Sequence, residues 1–600
     1  MIYPFGYGLS YTTFEMSYAS EPTLTDGRFQ FGVNVTNTGS APGKQVVQIY
    51  AEAPYTYGGI EKSKVVLVGF GKTGLLQPGE SQVVSISAAL DDLASYDYQN
   101  AKSYVLDAGS YRFYLSENSH SWASIDPSDS GKCYEYTQQS TITYNSDGSK
   151  RASDEIVAVN QFDDITNYHF VAYTDNRAGN GYAHNMTRAD FAASFPTAPT
   201  DADLVADEKV LAGINYKVAD DEKGDGSLLP TTGADNGLVL ADLRGVDYDD
   251  PMWDDLLDQL TVGDMHDLCA YGHFETAELA SVAAPYTADI DSPNGLINFF
   301  QPDLKSNGYP TEPVLASTWN VELARERGEC IGEELIFNNL NGWYGPGANT
   351  HRSAFGGRNN EYFSEDGLLA GKMLAAECSG AESKGVMTYT KHFAFNDQEA
   401  NRNSVLCTWV NEQAAREIYL KGFEICAKEA VAEVTCLDDS GKQYTVEMQG
   451  IGGVMTAYNM VGAIWTGGCE ELAHTILRDE WGLDGTAITD GIGGNYIYAN
   501  ADQAIRHGSD LLLAYDLQME DTESPAAIAA LREAAHHVLY AKANSNAMNG
   551  LVSGATITYG MAPWMITLIV CDLAAAALIG ISVMLIIRRK GSSSSNIKTA

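Results

Sequence analysis

At 600 residues, 44% hydrophobic and 19% charged, the chain is long enough for two or more cores and is globular in composition. A formal net charge of −42 excludes a nucleic-acid binder, because phosphate contacts need clustered Lys and Arg. The nine cysteines form no CxxC pair and no Cys/His run, which excludes a zinc module; they read as buried free thiols rather than a disulfide framework.

The opening residues, Met1 to Ser10, have neither a basic leader nor an apolar run and so are no signal peptide. From about 25 to 120 the pattern is that of short strands. Phe29, Phe31, Val33 and Val35 alternate with polar residues, and Val46–Tyr50, Val83–Ile86 and Tyr111–Leu115 follow, separated by turn formers such as Asn37-Thr38-Gly39 and Pro78-Gly79. That spacing predicts a β-sandwich over residues 1–120. Residues 121–250, rich in Asp, Ser, Thr, Gly and Asn, read as a polar connector draped over its neighbours, with ordered pieces near Arg188–Phe191. The Asn185-Met186-Thr187 sequon within it is a match by pattern only.

After Pro251 helices alternate with short apolar runs. Ala415, Ile418, Tyr419, Gly422, Phe423 and Cys426 make one helical stripe. The runs Val314–Ala316, Gly385–Thr388, Gly453–Thr456, Thr486–Thr489 and Asp510–Leu513 read as strands. Over 251–548 this alternation predicts α/β structure with a closed parallel barrel of (β/α)8, TIM-like type. Such barrels place chemistry at the carboxyl ends of their strands, and polar groups follow the runs here: Asn349 to Arg352, Lys391-His392, Tyr458-Asn459 and Asp490.

Trp564 to Ile587 is a run of 24 residues charged only at Asp572, long enough, at about 36 Å as a helix, to span a membrane. Arg588, Arg589 and Lys590 follow it, which predicts a single-pass protein with a cytoplasmic tail over 588–600 and all else outside the cell. Asp572 suits a helix partner or an interface. An exported domain without an export signal implies further sequence upstream of Met1.

Four segments then carry a resemblance. Asp291-Ser-Pro-Asn-Gly295, Gly357-Arg-Asn-Asn-Glu361, Lys391-His-Phe-Ala-Phe-Asn-Asp-Gln-Glu399, and Leu477-Arg-Asp-Glu-Trp-Gly-Leu-Asp-Gly485 leading to Asp490 stand in the order and spacing of glycoside hydrolase family 3, the β-glucosidase family. Val33–Gly39 and Leu76–Glu80 resemble that family's fibronectin type III-like domain, and Tyr3–Tyr11 resembles the end of its α/β-sandwich domain. The fibronectin-like domain here precedes the barrel, as in permuted members. The α/β sandwich is expected upstream of Met1 or as a separately encoded partner.

The resemblance implies an exo-acting, retaining β-glycosidase on an oligosaccharide or β-glycoside, with no metal or organic cofactor. Retention needs two carboxyl groups about 5 Å apart, one attacking the anomeric carbon and one protonating the leaving oxygen. By resemblance Asp490 is the nucleophile, Asp291, Arg358, Lys391 and His392 grip the glycone, and Tyr458 hydrogen-bonds the nucleophile. The family's acid/base usually comes from the α/β sandwich; Glu361, Glu365 and Glu399 match no motif for it. The family commonly has Trp after the nucleophile, where this chain has Gly491, which opens the question of subsite preference. The Lys-His-Phe-x-x-Asn run favours glucosidase-like members over the N-acetylglucosaminidase branch, with xylosides and arabinosides left open.

Plainer roles compete for each residue: Asp490 as a helix cap, Lys391-His392 as a solvated strand end, Asp291 as a turn former, and Arg358 in a structural ion pair with Glu361. A catalytically impaired, membrane-tethered glycan-binding remnant is the alternative function. A phosphate-binding barrel enzyme lacks support, since no Gly-rich phosphate loop is present.

Overall fold

The computed structural model describes residues 2–167, 185–192, 205–206, 208–296, 304–437, 441–558 and 560–593. They fall into two compact units, 1–555 and 556–600.

The sandwich follows from alternation. In strand Arg28–Asn37, Phe29, Phe31, Val33 and Val35 turn inward and are fully or almost fully buried. This strand pairs antiparallel with Ser81–Ala89, setting Phe31 opposite Ile86 and Val33 opposite Val84. A second sheet orders Cys133–Gln138, Gly109–Ser116, Val46–Glu52 and Val66–Lys72. The two faces meet through Phe29 and Phe113, whose ring centres lie 4.7 Å apart.

The segment beyond residue 120 is not simply a connector. Cys133–Gln138 is the edge strand of the second sandwich sheet, beside Gly109–Ser116, and Ile142–Tyr144 pairs with Ser103–Leu106 in a separate three-stranded sheet. Their alternation is masked in the sequence by the Asp- and Ser-rich turns around them. Farther on, Phe162 and Ile165 are buried against the barrel. Asn185 exchanges hydrogen bonds with Tyr98 and Asn411, and Arg188 stacks on Tyr55.

The barrel is built on five parallel strands: β1 (Thr287–Asp291), β2 (Gly342–Tyr344), β3 (Met387–Phe393), β4 (Gly453–Thr456) and β5 (Thr486–Ile488). Beyond β5, Ile488 bridges in parallel to Leu511. The amide of Leu512 donates to Cys269 and its carbonyl accepts from Gly272. Strand Glu275–Thr276 then returns antiparallel to β1. The ring therefore closes through seven segments among the described residues, one reversed, and departs from eight repeated strand–helix units. Val314–Ala316 falls in the helix Glu312–Ala316, a correction to the strand reading: three apolar residues behind Pro313 carry no period, and Pro favours the first helical turn. A hairpin that the sequence pattern did not announce, Val431–Leu437 with Gln443–Gln449, precedes β4. Cys330 and Cys571 are exposed, whereas six other cysteines are buried.

Buried ion pairs join sandwich, connector and barrel. Arg416 bonds to Glu412 at 3.0 Å and to both oxygens of Glu480 at 2.6 and 3.0 Å, and its guanidinium lies over Tyr96. Glu412 also accepts from the amides of Gln161 and Phe162. Arg151 is similarly enclosed by Asp154 and Glu424.

The second unit contains the helix Pro563–Ser593, of which Pro563–Lys590 is long and apolar enough, at a mean hydropathy of 2.5, to cross a membrane. Residues 594–600 of the Ser-rich tail lie outside the described set.

Removing one partner of a buried pair strands the others in a poorly solvating interior, which costs about 3–5 kcal/mol. Arg416→Ala should therefore lower the stability of the first unit by about that amount in urea unfolding, since Glu412 and Glu480 would both lose their countercharge.

Candidate active site

Because β1 to β5 run parallel, their carboxyl ends open on one face, and the side chains singled out in the sequence gather there. Asp291 ends β1, Lys391 and His392 lie near the end of β3, and Asp490 follows β5 by two residues. Lys391 and His392 are 2% exposed and Asp490 9%, so these polar groups must be matched by one another.

Asp490 is held at both oxygens. Oδ2 accepts from Arg402 Nη1 at 2.7 Å, and Oδ1 accepts from the Gly491 amide at 2.8 Å. Lys391 Nζ donates to Asp291 Oδ1 at 2.5 Å across the intervening strand β2. Arg358 grips Glu361 through two parallel bonds of 2.7 and 2.8 Å, so the structural ion pair is real. Its Nη1 also lies 3.6 Å from Glu399, which accepts from Arg402 Nε at 3.0 Å. Two arginines thus bracket the approach to Asp490, and Glu361 and Glu399 are engaged by them.

His392 Nε2 lies 3.7 Å from Asp490 Oδ2, yet the two do not form an ion pair. Burial first, and then the nearby Arg358, Lys391 and Arg402, hold the imidazole well below its ordinary pKa. Asn396 Nδ2 donates to the Tyr362 hydroxyl at 2.9 Å, and that hydroxyl stands 3.1 Å from His392 Nδ1. With the Asn396 donor on Tyr362, the Tyr362 proton points to Nδ1, which assigns the imidazole proton to Nε2. His392 then presents a neutral N–H toward the nucleophile's side of the cavity. Asn349 fixes its backbone, accepting from the His392 amide at 2.7 Å and donating to its carbonyl at 2.9 Å.

Tyr458 is a correction. Its hydroxyl donates to the Gly491 carbonyl rather than to Asp490, and its ring underlies the Arg402 guanidinium at 4.4 Å. A side chain at 491 would place Cβ 3.2 Å from that hydroxyl, a tighter approach than most contacts allow, so Gly at this position permits the arrangement. Arg402, Tyr362 and Asn396 are site residues that the sequence reading left unassigned. The i, i+3 spacing of Glu399 and Arg402, just after the Lys-His run, was the available signal for the first. Among the described residues no group of three or more His, Cys, Asp or Glu is placed to hold a metal ion.

With this geometry in hand, comparison with known proteins is specific. Residues 272–545 match the glycosyl hydrolase family 3 N-terminal domain, and residues 45–119 match the fibronectin type III-like domain. These matches give the chain a glycosyl hydrolase family 3 N-terminal domain and a fibronectin type III-like domain. It is 30% identical over 531 residues to β-glucosidase A of Butyrivibrio fibrisolvens, covering 84% of this chain and 58% of that one. A β-glucosidase of Ruminococcus albus is 32% identical over 508 residues, with 81% and 46% covered. The chain spans about half the length of these curated relatives. Its fold is like that of a β-glucosidase from Paenibacillus barengoltzii, at a TM-score of 0.65 and 24% identity, over 94% of this chain and 58% of the other.

Two outcomes follow. Histidine-selective nitrogen NMR should show His392 neutral at pH 7, with its proton on Nε2, and still neutral where an exposed imidazole has begun to protonate, because burial and the nearby cations depress its pKa. Arg402→Gln should slow any attack by Asp490 on the order of 10²-fold, the cost of a misplaced reacting group, without lowering the thermal midpoint by the amount a buried-core defect would.

Proposed function

We propose that this chain acts on terminal, non-reducing β-linked sugars as a retaining, exo-acting β-glucosidase-like enzyme with Asp490 as nucleophile. One observation carries the reading: a buried carboxylate at a strand end, held by Arg402 and Gly491, faces a neutral His392 N–H near the Lys391–Asp291 pair. A sugar ring presents hydroxyls that need donors and acceptors in fixed directions, and charged partners make the stronger bonds. Asp291 and Lys391 supply one acceptor and one donor, His392 a second donor, and Arg358 a donor held rigid by Glu361.

In the first step an Asp490 oxygen bonds to the anomeric carbon as the bond to the leaving oxygen breaks, and that oxygen takes a proton from a general acid. In the second step water attacks the same carbon, releases Asp490 and returns the proton, so configuration is retained. Glu361 and Glu399 are each held by an arginine, Arg358 and Arg402. In this reading the acid/base comes from a domain not represented in these residues. The apolar helix Pro563–Lys590 supports a single membrane anchor, and the basic cluster at its end supports an extracellular barrel.

The test uses a 2,4-dinitrophenyl 2-deoxy-2-fluoroglucoside, whose leaving group departs without protonation. Intact mass spectrometry should show one fluoroglucosyl adduct, mapped to Asp490 and absent in Asp490→Asn. No adduct with either gluco- or xylo-configured reagent, on protein shown to be folded, would replace the enzyme reading by a glycan-binding remnant.

A further inference from the structure

The mouth of the barrel is not polar all round. Going around the hydrogen-bonded ring, Lys391 and His392 sit on β3 and Asp291 on β1, while the sector between β5 and β1 is filled by residues 511–513 and 269–276. In that sector Tyr515 stacks on His273, with ring centres 3.5 Å apart and planes inclined by 24°. Burial lowers the pKa of His273, so its imidazole is the neutral form, suited to flat stacking.

Tyr515 is tied to the loop that carries the nucleophile. Two residues before it, Leu513 donates its amide to Thr489 Oγ1 at 3.0 Å and accepts from the Ile492 amide at 3.0 Å. One residue after it, Asp516 accepts from the Gly494 amide at 3.2 Å. These bonds hold the Tyr515 backbone beside residues 489–494, while its side chain remains 65% exposed. The contrast in burial is informative. Asp490, Lys391 and His392 are buried, whereas Tyr515, two residues past the Leu513 that bonds to the nucleophile loop, is exposed. An exo-acting site buries the sugar it cleaves off and lets the leaving group project toward solvent.

We infer that Tyr515, backed by His273, is the stacking platform for the leaving group, and that it selects aglycones with a flat apolar face, a second pyranose or an aryl ring. This inference rests on the retaining β-glycosidase reading above. Position 491 offers no ring, and the nearby Tyr458 ring is engaged by Arg402 at 4.4 Å and by Tyr496 at 5.4 Å, whereas the Tyr515 ring is 65% exposed. Stacking against His273 holds the Tyr515 ring ahead of binding, which reduces the ordering cost when a ligand ring settles on it.

The experiment compares two inactivators on the full, detergent-solubilised chain. They share the 2-deoxy-2-fluoroglucosyl group and differ in the leaving group: 2,4-dinitrophenolate, which has a ring to stack, and fluoride, which has none. Tyr515→Ala and Tyr515→Leu should raise the dissociation constant of the dinitrophenyl reagent about 3- to 10-fold, the size of an aromatic pairing, and leave that of the fluoride unchanged. Tyr515→Phe should behave as the parent chain. Equal weakening toward both reagents would place Tyr515 with the glycone or the fold, and no change toward either would leave it without a binding role; each overturns the inference. A parent chain that reacts with neither reagent overturns the glycosidase reading instead, and the aglycone assignment with it.

Discussion

Leu512 bonds through its backbone to Cys269 and Gly272 on one side, while its neighbour Leu511 bridges to Ile488 on the other. Opening that seam would free the strand that carries Asp490, and every polar contact of the site assumes that strand in place. Closure also decides which groups meet. Residues 100 apart in the chain, Asp291 and Lys391, are hydrogen-bonded because β1 and β3 flank β2 in the ring. A parallel sheet sends all its carboxyl ends to one face, so side chains that would each be solvated alone are brought together and partly removed from water.

That enclosure sets the electrostatics. Lys391, Arg358 and Arg402 stand among Asp291, Glu361, Glu399 and Asp490, in pairs close enough to hydrogen-bond. A protonated imidazole would add charge beside three cations in a buried place, so His392 remains neutral and serves as a directed donor. Arg402 then has two functions, countering Asp490 and fixing its orientation, and Tyr458 supports Arg402 from beneath rather than touching the carboxylate. The segment bonded to the nucleophile loop has a different chemistry, an exposed aromatic ring braced by a neutral imidazole.

Much of this was legible along the chain. Alternation in Phe29–Val35 identified a sandwich strand, since one buried face forces period two. Apolar runs followed by polar residues located β3, β4 and β5, and the Lys391-His392 and Asp490 segments stood at their ends. Less was legible where the local signal was short or shared. Val314–Ala316 had no period to separate strand from helix, and Cys133–Gln138 was obscured by turn residues on both sides. In the hairpin of Val431–Leu437 and Gln443–Gln449, Ala432, Val434 and Cys436 are buried while Val431 and Leu437 are exposed, so no clean apolar–polar alternation marks its first strand.

The sequence by itself determined the kinds of element, their order, and the chemical types present at the strand ends, because periodicity and side-chain identity are local properties. Partnership is not local. That Arg402 rather than Tyr458 holds Asp490, that Tyr362 sets the proton of His392, and that Tyr515 stacks on His273 were decided only by the tertiary structure. Each depends on where the ring of strands closes, and on which of several competent donors is left nearest once water is gone.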